Sequence, residues 1–106
     1  MRHIEITLIS YERHQDADGY ETLTEKRTEV FGLEKSVSYK EFYKAMESGI
    51  KPTLVVAMYR TEWEDAWSGE YAPEHCIVNG IKYRIIREYS TDLYHSELTL
   101  AQEVHN

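Results

Sequence analysis

The sequence predicts a mainly β (α+β) fold, a small antiparallel β-barrel of about six strands with one helix inserted between the second and third strands. Three observations lead there. Apolar and polar residues alternate with period two in several separate runs, beginning with Ile4, Ile6 and Leu8, as in strands with one buried face. Asn79-Gly80 stands between two β-rich runs, and this dipeptide suits a two-residue hairpin turn because both central residues need positive φ. Only one segment, Ser38 to Gly49, carries helical spacing. A chain of 106 residues fits a single domain. Short strands in so small a chain must hide their edges, and closure into a barrel does so most simply; open edges recruiting neighbouring subunits are the other solution.

The first strand runs from Ile4 to about Tyr11, and His14-Gln15-Asp16-Ala17-Asp18-Gly19 reads as an exposed turn-rich loop. From Tyr20 to Leu33, β-formers (Tyr20, Thr22, Thr24, Thr28, Val30, Phe31) interleave with charges, as in a long strand or hairpin arm with one wet face. Gly32 marks a bulge or bend. The period then changes. Ser38-Tyr39-Lys40-Glu41 has the form of a capping box, and Tyr39, Phe42, Tyr43 and Met46 fall on one helical face. Gly49 stands at a C-cap position, with Pro52 following at a helix-stopping distance.

Thr53 to Arg60 is an apolar run that reads as a buried strand. Thr61 to Glu74 carries Glu62, Glu64, Asp65, Glu70 and Glu74 without a lysine or arginine, and with Trp63 and Trp67 it suits a long, partly packed surface loop. His75–Val78 and Ile81–Tyr89 form the hairpin around Asn79-Gly80, with Ile81, Tyr83, Ile85, Arg87 and Tyr89 on one face. Ser90-Thr91-Asp92 is a further turn. Leu93–Val104 closes the chain, with Leu98 and Leu100 on one face and Glu97 and Thr99 on the other.

Nineteen acidic against twelve basic residues leave a net charge of −7. A protein that grips duplex DNA needs a basic face, and no basic cluster exceeds Lys26-Arg27, so specific DNA binding is not expected. The single cysteine, Cys76, has no internal disulfide partner. With an N-terminus that lacks a secretory hydrophobic region, this points to a reducing cytoplasm. No run reaches the ~20 apolar residues of a membrane helix, so a soluble protein is expected. Nine tyrosines fit a half-buried aromatic β core, or an interface.

Nothing in the sequence supports catalysis, and no cofactor is implied. His75 and Cys76 are adjacent in a strand, so their side chains point to opposite faces and cannot share a metal ion. The spacings C-x-x-C and H-x-x-x-H are absent, as are phosphate-binding and nucleophile-elbow motifs. Glu62, Glu64 and Asp65 lack the glycine and terminal bidentate glutamate of a calcium loop. Cys76 reads as a small core residue. Trp63 and Trp67 leave a choice open between core and interface, since tryptophan is enriched at binding hot spots.

The order of segments resembles the head–tail joining (head-closure, or stopper) family of tailed phages. The residues that carry the likeness are Ser36 to Pro52, with Glu41-Phe42-Tyr43 at its centre, and Val78 to Arg87, with Gly80, Tyr83 and Ile85; the closing strand Glu97-Leu98-Thr99-Leu100 comes after them. The resemblance implies a virion structural protein, made in the bacterial host cytoplasm. It would form a homo-oligomeric ring, usually dodecameric, from subunits that can be monomeric when free. The ring would sit below the portal and adaptor, close the DNA exit channel and dock the tail or its completion proteins. It also implies that Ser38, Tyr39, Glu41, Phe42, Tyr43, Met46 and Gly49 belong to a lumen-facing stopper, although the residues themselves read as a capped helix. Glu62, Trp63, Glu64, Asp65, Trp67 and Glu70 are the candidate acidic loop or interface. DNA would pass nearby without specific binding, and no membrane is involved. A tail-completion or minor tail protein, and a small cytoplasmic β-barrel binding module, are the alternatives.

Overall fold

The computed structural model describes residues 2–35 and 54–102. Among these described residues the strands are β1 (Arg2–Gln15), β2 (Glu21–Lys35), β3 (Leu54–Tyr59), β4 (His75–Val78), β5 (Ile81–Ser90) and β6 (His95–Gln102), with one short helix, α1 (Arg60–Asp65). They close into an antiparallel barrel in the order β1-β2-β3-β6-β5-β4, with β4 returning to β1. The six-stranded barrel agrees with the expectation from sequence. The helix expected over 36–52 lies outside the described residues.

The interior arises from period-two patterning. Ile4, Ile6 and Leu8 of β1 pack with Val30, Val56, Met58, Cys76, Val78, Tyr83, Leu98 and Leu100 into one buried cluster. Asn79 and Gly80 take φ of 52° and 78° and join Val78 to Ile81, the geometry the dipeptide predicts. Cys76 points inward and is fully buried, while its neighbour His75 is only half-buried. Burial pushes the Cys76 thiol up from its ordinary value of 9.0 to about 12.

Three expectations need correction. Gly32 is not a bulge, because the β1–β2 register runs unbroken from Arg2↔Glu34 to Gln15↔Glu21. It is a close-approach glycine: an added Cβ would meet the Ala57 carbonyl oxygen at 2.5 Å and Ile6 Cδ1 at 2.6 Å. The first strand does not end near Tyr11 but continues to Gln15, so the turn shifts to residues 16–20. There Asp16 Oδ1 accepts from the amides of Asp18 (3.0 Å) and Tyr20 (2.9 Å).

The bulge is in β5 instead, where the register with β6 slips between Ile85↔Leu100 and Arg87↔Thr99. One extra residue reverses the faces of the residues beyond it. Tyr83 and Ile85 therefore join the interior cluster, whereas Arg87 and Tyr89 turn outward rather than sharing their face. Finally, Glu97 and Thr99 are buried although they lie on the outer face of β6. Glu97 is held by Lys35 Nζ at 3.0 Å and by the Tyr89 hydroxyl at 3.0 Å. The bulge is what brings Tyr89 onto that face, so these two departures are one feature.

Two stability measurements test these points. Gly32→Ala is expected to lower the urea midpoint by the equivalent of about 1–3 kcal/mol, the usual range for overpacking, and adding Ile6→Val should not restore it, since the nearest clash is with backbone. Native Cys76 should resist thiol reagents at pH 8 and react once the chain is unfolded in urea. Because its folded pKa is raised, the folded state keeps a proton that the unfolded thiol loses. Stability should therefore fall as pH rises from about 9 towards 12, and Cys76→Val should remove that slope.

Candidate functional site at the arm end of the barrel

β1 and β2 outrun the rest of the wall. β4 pairs with β1 only over Ile6–Ile9, and β3 pairs with β2 only over Leu33–Lys35. Beyond Ser10 and Lys26 the two strands pair with each other alone as far as Gln15↔Glu21, an arm of about 17 Å at ~3.4 Å per residue. All side chains from Glu12 to Arg27 are exposed. Arg13 and Glu21 form an ion pair across it at 2.8 Å, an exposed contact that solvent screens and that contributes little.

The segment expected to be a surface loop, Thr61 to Glu74, is a helix and a turn set across the barrel mouth. α1 is one and a half turns long, too short to persist alone, and its N-cap Tyr59 supplies no side-chain cap bond. Tertiary contacts hold it. Trp63 is 5% exposed and Ala66 fully buried, both within the core cluster. Trp67 packs against that cluster, edge-on to Trp63 at 6.4 Å between centroids. At the helix C-terminus Lys26 Nζ donates to the carbonyls of Asp65 (3.0 Å) and Trp67 (2.7 Å), a cation where the helix dipole favours one. Lys26 stands opposite Ser10 in the arm, and Ser10 Oγ shares a buried hydrogen bond with Ser68 Oγ at 2.8 Å. The base of the arm and the plug are therefore one unit.

The sequence-predicted site residues divide accordingly. Trp63 is core. Trp67 and Glu62 are half-buried, and Glu64, Asp65 and Glu70 are exposed, so the acidic group does present a solvated surface at this end. Trp67 Nε1 and Glu62 Oε2 are buried with no hydrogen-bond partner among the described residues. Ser38, Tyr39, Glu41, Phe42, Tyr43, Met46 and Gly49 lie outside the described residues. No group of three or more His, Cys, Asp or Glu side chains that could hold a metal ion occurs among the described residues, and no helix among them is long and apolar enough to cross a membrane.

Two surface features at the same end were not foreseen. The 91–94 turn exposes Leu93 (77%) and Tyr94 (69%) beside Tyr59, whose ring stacks on His95 at 5.3 Å. Asp92 Oδ1 holds the turn, accepting from the amides of Tyr94 (2.7 Å) and His95 (2.9 Å). The Tyr94 amide, then the His95 side chain, draw the Asp92 carboxyl below its ordinary range. On the other side, the wall between β1 and β5 is filled by the 70–74 segment, which receives the Ile85 amide on the Glu74 carbonyl at 2.9 Å. A groove of about 560 Å³ lies between Tyr71–Glu74 and Arg84–Ile86. Only the exposed aromatics were visible in the sequence, and without the topology nothing sets them side by side.

Exposed aromatics, an acidic rim and an exposed two-stranded arm are elements that recognition surfaces use. No family model matches the chain, and no curated protein matches it.

Trp63→Ala is expected to cost about 3–5 kcal/mol, as deletion of a buried aromatic does. Lys26→Ala should cost about 1 kcal/mol, the scale of a helix-terminus charge, and leave the barrel intact. Urea unfolding followed by tryptophan fluorescence and circular dichroism would check both. Equal small losses for the two variants would contradict the plug.

Proposed function

We propose that this chain is a virion structural protein of a tailed-phage head–tail connector, forming a ring below the adaptor that closes the DNA exit channel and docks the tail. The observation that carries the reading is the agreement of two independent things. The resemblance in the Val78–Arg87 and Glu97–Leu100 segments implies a small β-barrel, and the chain folds as a closed six-stranded barrel. The arm-end surface adds support. It offers exposed apolar side chains (Leu93, Tyr94, Tyr59) and carboxylates (Glu64, Asp65, Glu70) of the kind a multi-subunit assembly uses.

The net charge of −7 suits a channel that DNA must leave, because a wall that neutralises phosphates would retain it. A small β-barrel binding module is the second reading, favoured by the groove between the 70–74 segment and β5.

The test uses DNA-filled capsids assembled without this protein. Added protein is expected to restore DNA retention and tail attachment, and the purified protein should give no duplex shift even at low salt. Capsids that leak equally with and without it, or tight duplex binding, would overturn the proposal.

A further inference from the structure

The hairpin turn between β4 and β5 sets a side-chain amide next to an unshielded backbone nitrogen. Asn79 and Gly80 are both exposed, and a Cβ built on Gly80 would meet no atom within 4 Å, so water reaches the turn freely. Asparagine is a thermolabile residue. Its lability is greatest before glycine, where no Cβ screens the amide nitrogen that follows.

We propose that Asn79 is a self-modification site, converted by water into aspartate and isoaspartate through a cyclic imide, at a rate that the turn conformation sets. First the Gly80 amide gives its proton to hydroxide, and its nitrogen attacks Asn79 Cγ. The N–Cγ bond closes a five-membered imide, and the side-chain nitrogen leaves as ammonia, taking a proton from water. Water then adds to one of the two imide carbonyls. Breaking the N–Cγ bond gives aspartate, and breaking the bond to the Asn79 main-chain carbonyl gives isoaspartate. Nothing is oxidised or reduced, and the net change consumes one water and releases one ammonia.

The native turn opposes the first step. With φ of 52° at Asn79 and 78° at Gly80 the pair forms a type I′ turn, in which the first central residue has ψ of about +30°. The Gly80 nitrogen then stands roughly anti to the Asn79 Cβ, whereas ring closure needs the two nearly eclipsed. The turn peptide must rotate before it reacts, so the folded chain reacts more slowly than the unfolded one. The two products also differ in what they do to the barrel. Aspartate leaves Asp-Gly, which suits the same turn. Isoaspartate routes the main chain through Cβ and lengthens a two-residue loop by one carbon. The pairing from Val78↔Ile81 to His75↔Arg84 starts at that loop, and β4 is the strand that closes the wall between β5 and β1. Isoaspartate therefore weakens the seal. This inference does not rest on the head-closure reading, and DNA retention does not report on it.

The experiment is incubation of the whole protein at pH 8 over several weeks, followed by mass spectrometry of the peptide that contains residue 79. A gain of one mass unit at Asn79 is expected, about tenfold or more faster in guanidinium than in the folded chain. Isomerisation at Asp18-Gly19 would bring no mass gain and falls elsewhere in the peptide map. Asn79→Gly keeps a turn of the same type and should fold without any gain. The isoaspartate form, separated by chromatography, should unfold at lower urea than fresh protein, and Asn79→Asp should unfold with the fresh protein. No gain at Asn79 in the folded protein, equal rates in folded and unfolded chains, or an isoaspartate form as stable as Asn79→Asp would overturn the proposal.

Discussion

The barrel closes through its shortest strand, and the rest of the molecule is arranged around that constraint. β4 contributes four residues, and they join β1 and β5 over Ile6–Ile9 and Ile81–Arg84 alone. Above that level the wall would part, because β1 and β5 continue while β4 does not. A barrel of few strands can be filled by side chains, but a parted wall would admit water to Leu8, Met58 and Leu98. The chain between β3 and β4 prevents this. α1 lowers Trp63 and Ala66 into the mouth, and the turn after it returns through Ser68 to lie along the gap. The β1–β2 arm is then fastened by the same turn, through Ser10 and Lys26.

This arrangement divides the labour. Apolar burial is concentrated below the plug, where strands pair on both sides. The arm above it is two strands wide and exposed on both faces, a structure with little stability of its own. It persists because its register continues that of a buried ladder, with Ile6↔Val30 as part of the same pairing as Gln15↔Glu21. Recognition surfaces are often built this way, with exposed backbone and side chains carried on a rigid base. On the outer face, Glu97 is the exception to simple patterning. Its burial is tolerable because both carboxylate oxygens are engaged, one by Lys35 and one by Tyr89.

Much of the barrel was legible in the sequence because its signals are local. Ile4, Ile6 and Leu8 announce an inward face, and Asn79-Gly80 fixes a hairpin whatever surrounds it. The helix at Arg60–Asp65 was not legible for the opposite reason. It has no cap residue and too few turns for a periodic face, so it exists only through Trp63 in the core and Lys26 at its end. The reversal of Arg87 and Tyr89 was hidden because a one-residue bulge at a β-branched pair such as Ile85-Ile86 leaves no compositional trace. Of the acidic candidates, Glu64, Asp65 and Glu70 are exposed, whereas Glu62 beside Trp63 is half-buried. The tryptophans were ambiguous because a tryptophan that plugs a barrel and one that awaits a partner look alike in a polar stretch. The stopper candidates from Ser38 to Gly49 fall outside the described residues.

The claim that the short β4 and the Trp63 plug seal the barrel, with the arm as an appended two-stranded element, is tested most directly by native-state amide hydrogen exchange resolved along β1. Ile6, Leu8 and their β4 partners should exchange only on global unfolding, whereas arm amides from Glu12 to Gln15 should exchange through local opening, orders of magnitude faster. Protection that is uniform from Ile4 to Gln15, or β4 amides that exchange as fast as the arm, would contradict the account.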